Sequence, residues 1–349
     1  SEGAVSAADL TTISTQTSGT VNATAATAIN GTASAVATAL ADTEITHSDS
    51  FAVTLTAGSA AATDLTAIDA ATSAVVDGSA ITTITGTAAA IAAAATLDAA
   101  PQTTNLGNFA ATVSEGAVSA ADLTTISTQT SGTVNATAAT AINGTVSAVA
   151  TALADTGITH TNTFTTTVTG AGAALDLLAI NTATTKPVSA TGVTTITGTI
   201  ANVNLVLAEE ANQNQVGDAI DLDNDFTVTV SDTGSVAATT LTTLDTNVPG
   251  ATVTASGITT LTGTAEEIAA AATADSNGTL VLGNFAATVS AGTVSAADLL
   301  VISGQTSGTV NATAASTITG TALEVHTVID DSEIIEHKVG NPKSSVSRN

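Results

Sequence analysis

All five phenylalanines of the 349-residue chain, Phe51, Phe109, Phe164, Phe226 and Phe285, recur at intervals of 55 to 62 residues. Each opens a short run in which apolar and hydroxyl side chains alternate, as in Phe51-Ala-Val-Thr-Leu-Thr56 and in the FTVTVS run from Phe226. A period of this length constrains the fold more than any other signal, because one unit cannot bury its apolar face alone and must stack on its neighbours. Residues 1–47 return as 114–160 with two changes, Ala33 to Val146 and Glu44 to Gly157. The beat divides the chain into a truncated first repeat (1–50) and full repeats at 51–108, 109–163, 164–225 and 226–284. A partial repeat (285–325) and a tail (326–349) follow, and 164–225 carries an acidic insertion. Ser1 aligns with Ser114, so the sequence starts inside a unit and reads as a processed product or an excised piece.

Each period contains two half-units of about 29 residues. In the first, Phe51, Val53 and Leu55 point one way and Thr54 and Thr56 the other, the two-residue alternation of a strand. A segment such as Ala62-Thr-Asp-Leu-Thr-Ala-Ile68 then places Leu65 and Ile68 on one helical face. Just before that leucine stand Asp9, Asp64, Asp122, Asp176 and Asp298, with Thr240 in the remaining copy. An acid there suits the positive end of a helix dipole.

The second half-unit has a strand around Gly19-Thr-Val-Asn-Ala, an Ile/Leu-x-Gly-Thr signature and an alanine-rich helix. Its glycines are Gly31, Gly86, Gly144, Gly198, Gly263 and Gly320, each followed by a threonine suited to cap the helix. Thr264/Glu267 and Thr321/Glu324 have capping-box spacing. Strands separated by helices pair most easily in parallel, so the expected fold is an α/β repeat, a solenoid-like stack of strand–helix half-units. The alternative is an all-β solenoid or a string of small β-sandwiches.

Composition narrows the function classes. Hydrophobic residues make up 44% of the chain and aromatics 1%, with no Cys, Met, Trp or Tyr, so the core is built from Ala, Val, Ile and Leu. Disulfide, thiolate and zinc–thiolate chemistry have no residues to work with. Four Lys and Arg stand against thirty Asp and Glu, a net charge of −26, which disfavours nucleic acid and anionic lipid as partners. The longest charge-free apolar stretch, around Ala88–Leu97, is too short to span a bilayer.

Few motifs point to chemistry, and no catalytic set appears. Asp218, Asp221, Asp223 and Asp225 cluster just before Phe226. Their spacing resembles the start of an EF-hand loop without its glycine and terminal glutamate, so the candidate is a looser calcium site of oxygen ligands. No cofactor is required elsewhere. Gly170-Ala-Gly172-Ala-Ala-Leu175 falls where a dinucleotide fingerprint would, but reads as a variable repeat loop. Four histidines (His47, His160, His326, His337) show no metal spacing. Six Asn-x-Thr sequons, Asn22 and Asn30 among them, are what threonine-rich repeats generate by chance.

The segments SAADLTTISTQTSGTVNATAATAINGT (6–32) and ATVTASGITTLTGTAEEIAAAA (251–272) resemble the repeat tracts of giant surface and secreted proteins of cyanobacteria and other marine bacteria. The resemblance implies an extracellular or cell-surface structural protein, a component of a surface layer, filament or adhesin. The expected partner is a second copy joined head to tail, with a cell-surface polysaccharide as a further one; the alternative is a calcium-dependent adhesin arm. In the tail, His326-Thr-Val-Ile-Asp330 and Glu333–Val339 carry β-branched alternation suited to strand addition.

Overall fold

The computed structural model describes residues 3–97, 104–211, 219–223, 225–248 and 250–336. Twelve helices lie among them, and the all-β alternative fails on that ground. They are α1 (Ala7–Gln16), α2 (Ala33–Ala41), α3 (Ala62–Ala71), α4 (Ala88–Thr96), α5 (Ala120–Gln129) and α6 (Val146–Ala154). The later ones are α7 (Ala174–Ala183), α8 (Ile200–Ala211), α9 (Ala238–Asn247), α10 (Ala265–Asn277), α11 (Ala296–Ser303) and α12 (Ala322–Asp330). The chain is an α/β repeat protein whose described strand pairs run parallel.

Most helix starts are written in the residue before them, while α3 and α9 follow Ala61 and Ala237, which have no capping side chain. Thr32, Thr87, Thr145, Thr264 and Thr321 cap their helices by accepting a hydrogen bond from the backbone N–H three residues on. Thr199 does the same from Asn202. At Thr264 and Thr321 the glutamate reaches back as well and completes a capping box. In the other helix class Ser6, Ser119 and Ser295 accept from the N–H of Asp9, Asp122 and Asp298, so that aspartate row lies in the first helical turn.

The glycine of the signature has a steric reason. Gly86 sits at φ +149°, a region L side chains rarely adopt, and an added Cβ would meet the Cβ of Ala62 at 3.5 Å. Gly198 lies outside that backbone region; there an added Cβ would come within 3.0 Å of Ala174.

The strand count differs from expectation. Before most helices there are two short segments instead of one strand, as in Ala52–Leu55 and Gly58–Ala61 before α3, or Val76–Gly78 and Ile81–Gly86 before α4, whereas single longer strands, Thr166–Ala173 and Val188–Gly198, precede α7 and α8. Pieces of three or four residues such as Gly58–Ala61 and Val76–Gly78 are too short to show a period of their own. The asparagine–glycine steps at 30–31 and 143–144 lie in or end strands that pair in parallel, not in hairpins.

The described residues form two compact units, 1–168 with 180–188, and 169–179 with 189–349. In the first, one parallel ladder runs through Val5, Ile29, Val53 and Val76, and a second through Ala60, Ile84, Ala111, Val134 and Ile158. Helices α1 to α6 pack each on the next. In the second unit, ladders run through Ile196, Val228, Val253 and Leu280, and through Val236, Leu261, Ala287, Val310 and Ile334. There α8 to α12 again pack in sequence.

The core lies between ladder and helices. Phe51, Val53, Leu55, Leu65 and Ile68 are all buried, whereas Thr54 and Thr56 face solvent, as the alternation predicts. Burying one such leucine or isoleucine is worth roughly 1.5–3 kcal/mol, so the repeated Leu/Ile pairs and strand residues supply most of what this aromatic-poor core can gain.

Two polar devices tie successive coils together. The hydroxyl of Thr72 donates to the carbonyl of Phe51 at 2.6 Å and accepts from the Ala74 N–H at 3.1 Å. Thr130, Thr184 and Thr306 make the same bond to Phe109, Phe164 and Phe285. The second device joins neighbouring helices. Ser127 donates to Asp155 at 2.6 Å and Ser303 to Asp331 at 2.8 Å, while each aspartate also accepts a backbone N–H two residues on.

The tail departs from expectation. His326–Asp330, read from sequence as strand-forming, is the C-terminal part of α12, and Ile334–Ile335 pairs in parallel with Val310–Asn311. The segment therefore follows the repeat pattern of Ile45–Thr46 and Ile158–Thr159. Residues 337–349 lie outside the described residues.

Candidate interaction surface

The acidic cluster is only partly in view. Asp221 lies in the strand Ile220–Leu222, Asp223 directly follows it, and Asp225 precedes the Phe226 strand. Asp218 lies outside the described residues. Among the described residues no group of three or more His, Asp or Glu gathers to hold a metal. Beside the cluster, the Leu222 N–H donates to Glu210 at 2.6 Å, which fastens this strand to α8.

The other sequence candidates have structural roles. Gly170 and Gly172 lie inside the strand Thr166–Ala173. The His47 ring meets Phe51 edge-on at 5.2 Å between centroids, and the duplicated pair His160 and Phe164 repeats this at 5.5 Å. Asn22 and Asn135 close turns by accepting both the N–H and the hydroxyl of the threonine two residues on. Asn30 and Asn143 instead accept a backbone N–H from the next strand, at Thr54 and Thr167. Among the described residues no helix is long and apolar enough to cross a membrane.

Concavities are shallow. A cavity of about 90 Å³ lies in the seam between α4 and α5, lined by Thr87, Ser114, Glu115, Ser119 and Asp122 among others. A groove of about 300 Å³ between α1 and α2 is lined only by alanine and threonine, including Ala8, Thr12 and Thr38. Neither brings an acid and a base together.

The informative surfaces are helix faces. Helices α1 and α5 have the same ten-residue sequence, AADLTTISTQ. Yet Ile13 of α1 is 52% exposed, while its counterpart Ile126 in α5 is fully buried. The flanking positions follow: Asp9 and Thr12 are exposed, whereas Asp122 and Thr125 are half-buried. The cause is the neighbour, because α5 lies between α4 and α6 and α1 packs on α2.

Helix α12 shows the complementary situation. In α10, Ala265, Ile268, Ala269 and Ala272 are buried, and α10 packs on α11. In α4 the matching residues Ala88, Ile91, Ala92 and Ala95 are buried, and α4 packs on α5. The same positions of α12 hold Ala322, Val325, His326 and Ile329, and there Ala322 and His326 are exposed, as is Ile329 at 51%. His326 pairs with Asp330 at 3.0 Å along the helix.

Sequence reasoning missed this contrast, and also the threonine–phenylalanine bonds. Threonine is so abundant that a row of it every period carries no visible signal, and exposure depends on neighbours rather than on the residue. No protein-family model matches the chain, and comparison with curated proteins gives no match.

Proposed function

We propose that this chain is an extracellular structural repeat protein, a subunit of a surface layer or filament that associates head to tail with copies of itself. The observation that carries this reading is the stacking of near-identical coils: α1 to α6 pack each on the next, as do α8 to α12, and the strands of one coil pair in parallel with those of the following one. Within each unit the successive parallel pairings and the sequential helix packing favour a solenoid course, in which coils add one after another. A contact that repeats without closing then builds an open array.

Composition supports the setting. A net charge of −26 opposes the approach of identical chains in dilute buffer, and salt at marine strength screens it within a few ångströms. The absence of cysteine and methionine leaves little to oxidise. Electron microscopy of the purified chain at rising concentration in high salt tests the reading. Ordered filaments or sheets are expected; separate particles under all conditions would overturn it.

A further inference from the structure

The fold singles out one residue for a slow covalent change: we propose that Asn277 deamidates spontaneously in the folded chain, and that its conversion loosens the tie between α9 and α10. Asn–Gly steps occur in the sequence at Asn30, Asn143 and Asn277. Glycine after asparagine favours the reaction, because no side chain hinders attack by its backbone nitrogen. The structure treats these steps differently.

Asn30 and Asn143 are locked. Each is half-buried in a strand that pairs in parallel. Each carboxamide oxygen accepts a backbone N–H from the next strand, Thr54 at 3.0 Å and Thr167 at 2.8 Å. Freeing either one means parting two strands. Asn277 instead ends α10; it is exposed, and its carboxamide makes no hydrogen bond among the described residues. Gly278 follows at φ +79°, the left-handed C-cap that keeps glycine at this position, and a Cβ there would meet nothing within 4 Å. The Gly278 N–H is held by carbonyls of the last helical turn, Asp275 at 3.0 Å among them. A last turn opens more readily than a strand ladder.

The reaction needs water alone. With the last turn open, the Gly278 nitrogen loses its proton and attacks Cγ of Asn277. The new C–N bond closes a succinimide ring, and the carboxamide nitrogen takes up a proton and leaves as ammonia. Water then opens the ring at either carbonyl, giving aspartate or isoaspartate. Both products add a negative charge at the C-terminal end of a helix, where the dipole opposes it. The isoaspartate also lengthens the main chain by one carbon just before Thr279. That threonine matters to the neighbouring helix. Its hydroxyl donates to Asp245 of α9 at 3.0 Å, while the other carboxylate oxygen of Asp245 is buried without a hydrogen-bond partner. Moving Thr279 strips this shielded carboxylate of its donor, which is costly. The Leu282 N–H, bonded to Asp275 at 2.7 Å, shifts with the same segment.

Mass spectrometry of the full chain, kept folded at neutral pH in warm buffer and digested at acidic residues after timed intervals, tests the site. Conversion at Asn277 should run about tenfold faster or more than at Asn30 or Asn143. In concentrated urea, where no step is protected, the rates should draw level. No conversion at Asn277 in the folded chain, or conversion at Asn30 or Asn143 that keeps pace with it, would overturn the site. An Asn277→Gln chain aged alongside separates this change from ageing in general. It should keep its melting temperature while that of the parent chain falls, with amide hydrogen exchange rising first in α9 and α10. Asn277→Ser replaces it if its circular dichroism differs from that of the parent. A parent chain that converts at Asn277 and still melts like the glutamine chain overturns the loosening of α9 and α10.

Discussion

The hydroxyl of Thr72 donates to the carbonyl oxygen of Phe51 at 2.6 Å, closing one coil onto the strand that opened it. Thr72 is nearly buried and caps the C-terminus of α3, so the bond fixes where the helix stops relative to the strand. The repeat beginning at Phe226 has Val248 at this position, also buried. Thr72→Val should therefore be tolerated in shape and lose only the hydrogen bond, about 1 kcal/mol and at most about 2. Urea unfolding with an unchanged slope measures it; no loss of stability would show that the bond is idle.

Gly86 gives a second expectation. Its φ of +149° is strained for any side chain, although the new methyl would only touch Ala62 at 3.5 Å, an ordinary contact. Gly86→Ala should cost about 1 kcal/mol or more, read as a fall in melting temperature. A stabilised variant would mean that the backbone at this step is not as described.

Acid should weaken the tie between neighbouring helices. Asp42 accepts from Ser14, and from the Glu44 N–H at 2.9 Å, and these bonds hold its carboxyl below the usual aspartate range. Asp77, bonded to the hydroxyl and N–H of Ser79, is lowered too, as is Glu324 by its bonds to the Thr321 N–H and hydroxyl. A carboxyl lowered on folding stabilises the protein above its unfolded value and loses that contribution as pH falls through the folded one. Stability should therefore be level near neutrality and fall below about pH 4. Ser14→Ala should flatten that fall, and thermal melts across pH 2 to 7 in both proteins, at approximate unit steps, read the difference. Identical acid limbs would remove Asp42 from the account.

Helix capping allows an internal comparison. Thr264 is half of a complete capping box, whereas Thr87 caps α4 through its own side chain alone. Alanine at either position should cost about 1 kcal/mol, with Thr87→Ala the larger because after Thr264→Ala the Glu267 carboxylate still accepts the backbone N–H of residue 264. The ordering is read from denaturant midpoints; the reverse order would contradict the capping geometry.

Much of this architecture is legible in the sequence. The phenylalanine beat, the Leu65/Ile68 type of pair and the six glycine–threonine steps each state a local physical need, and the structure meets them. Segments such as Gly58–Ala61 or Gly116–Ser119 were not legible, because four-residue pieces have no period to read, whereas the strand expected around residues 19–23 is there as Val21–Asn22. The tail was misread for a related reason. His326-Thr-Val-Ile-Asp alternates like a strand, but Thr321 and Glu324 ahead of it form a capping box that commits the segment to helix. The contrast between Ile13 and Ile126 lies beyond any single-sequence reading, since the two stand in identical segments and differ only in what packs on them.

The account turns on copies of the chain associating with one another, and the net charge of −26 makes salt the lever. Sedimentation velocity over a series of protein and salt concentrations reads this directly. Association that strengthens as salt rises is the expected result, and a chain that stays monomeric at every concentration and salt level would contradict the account.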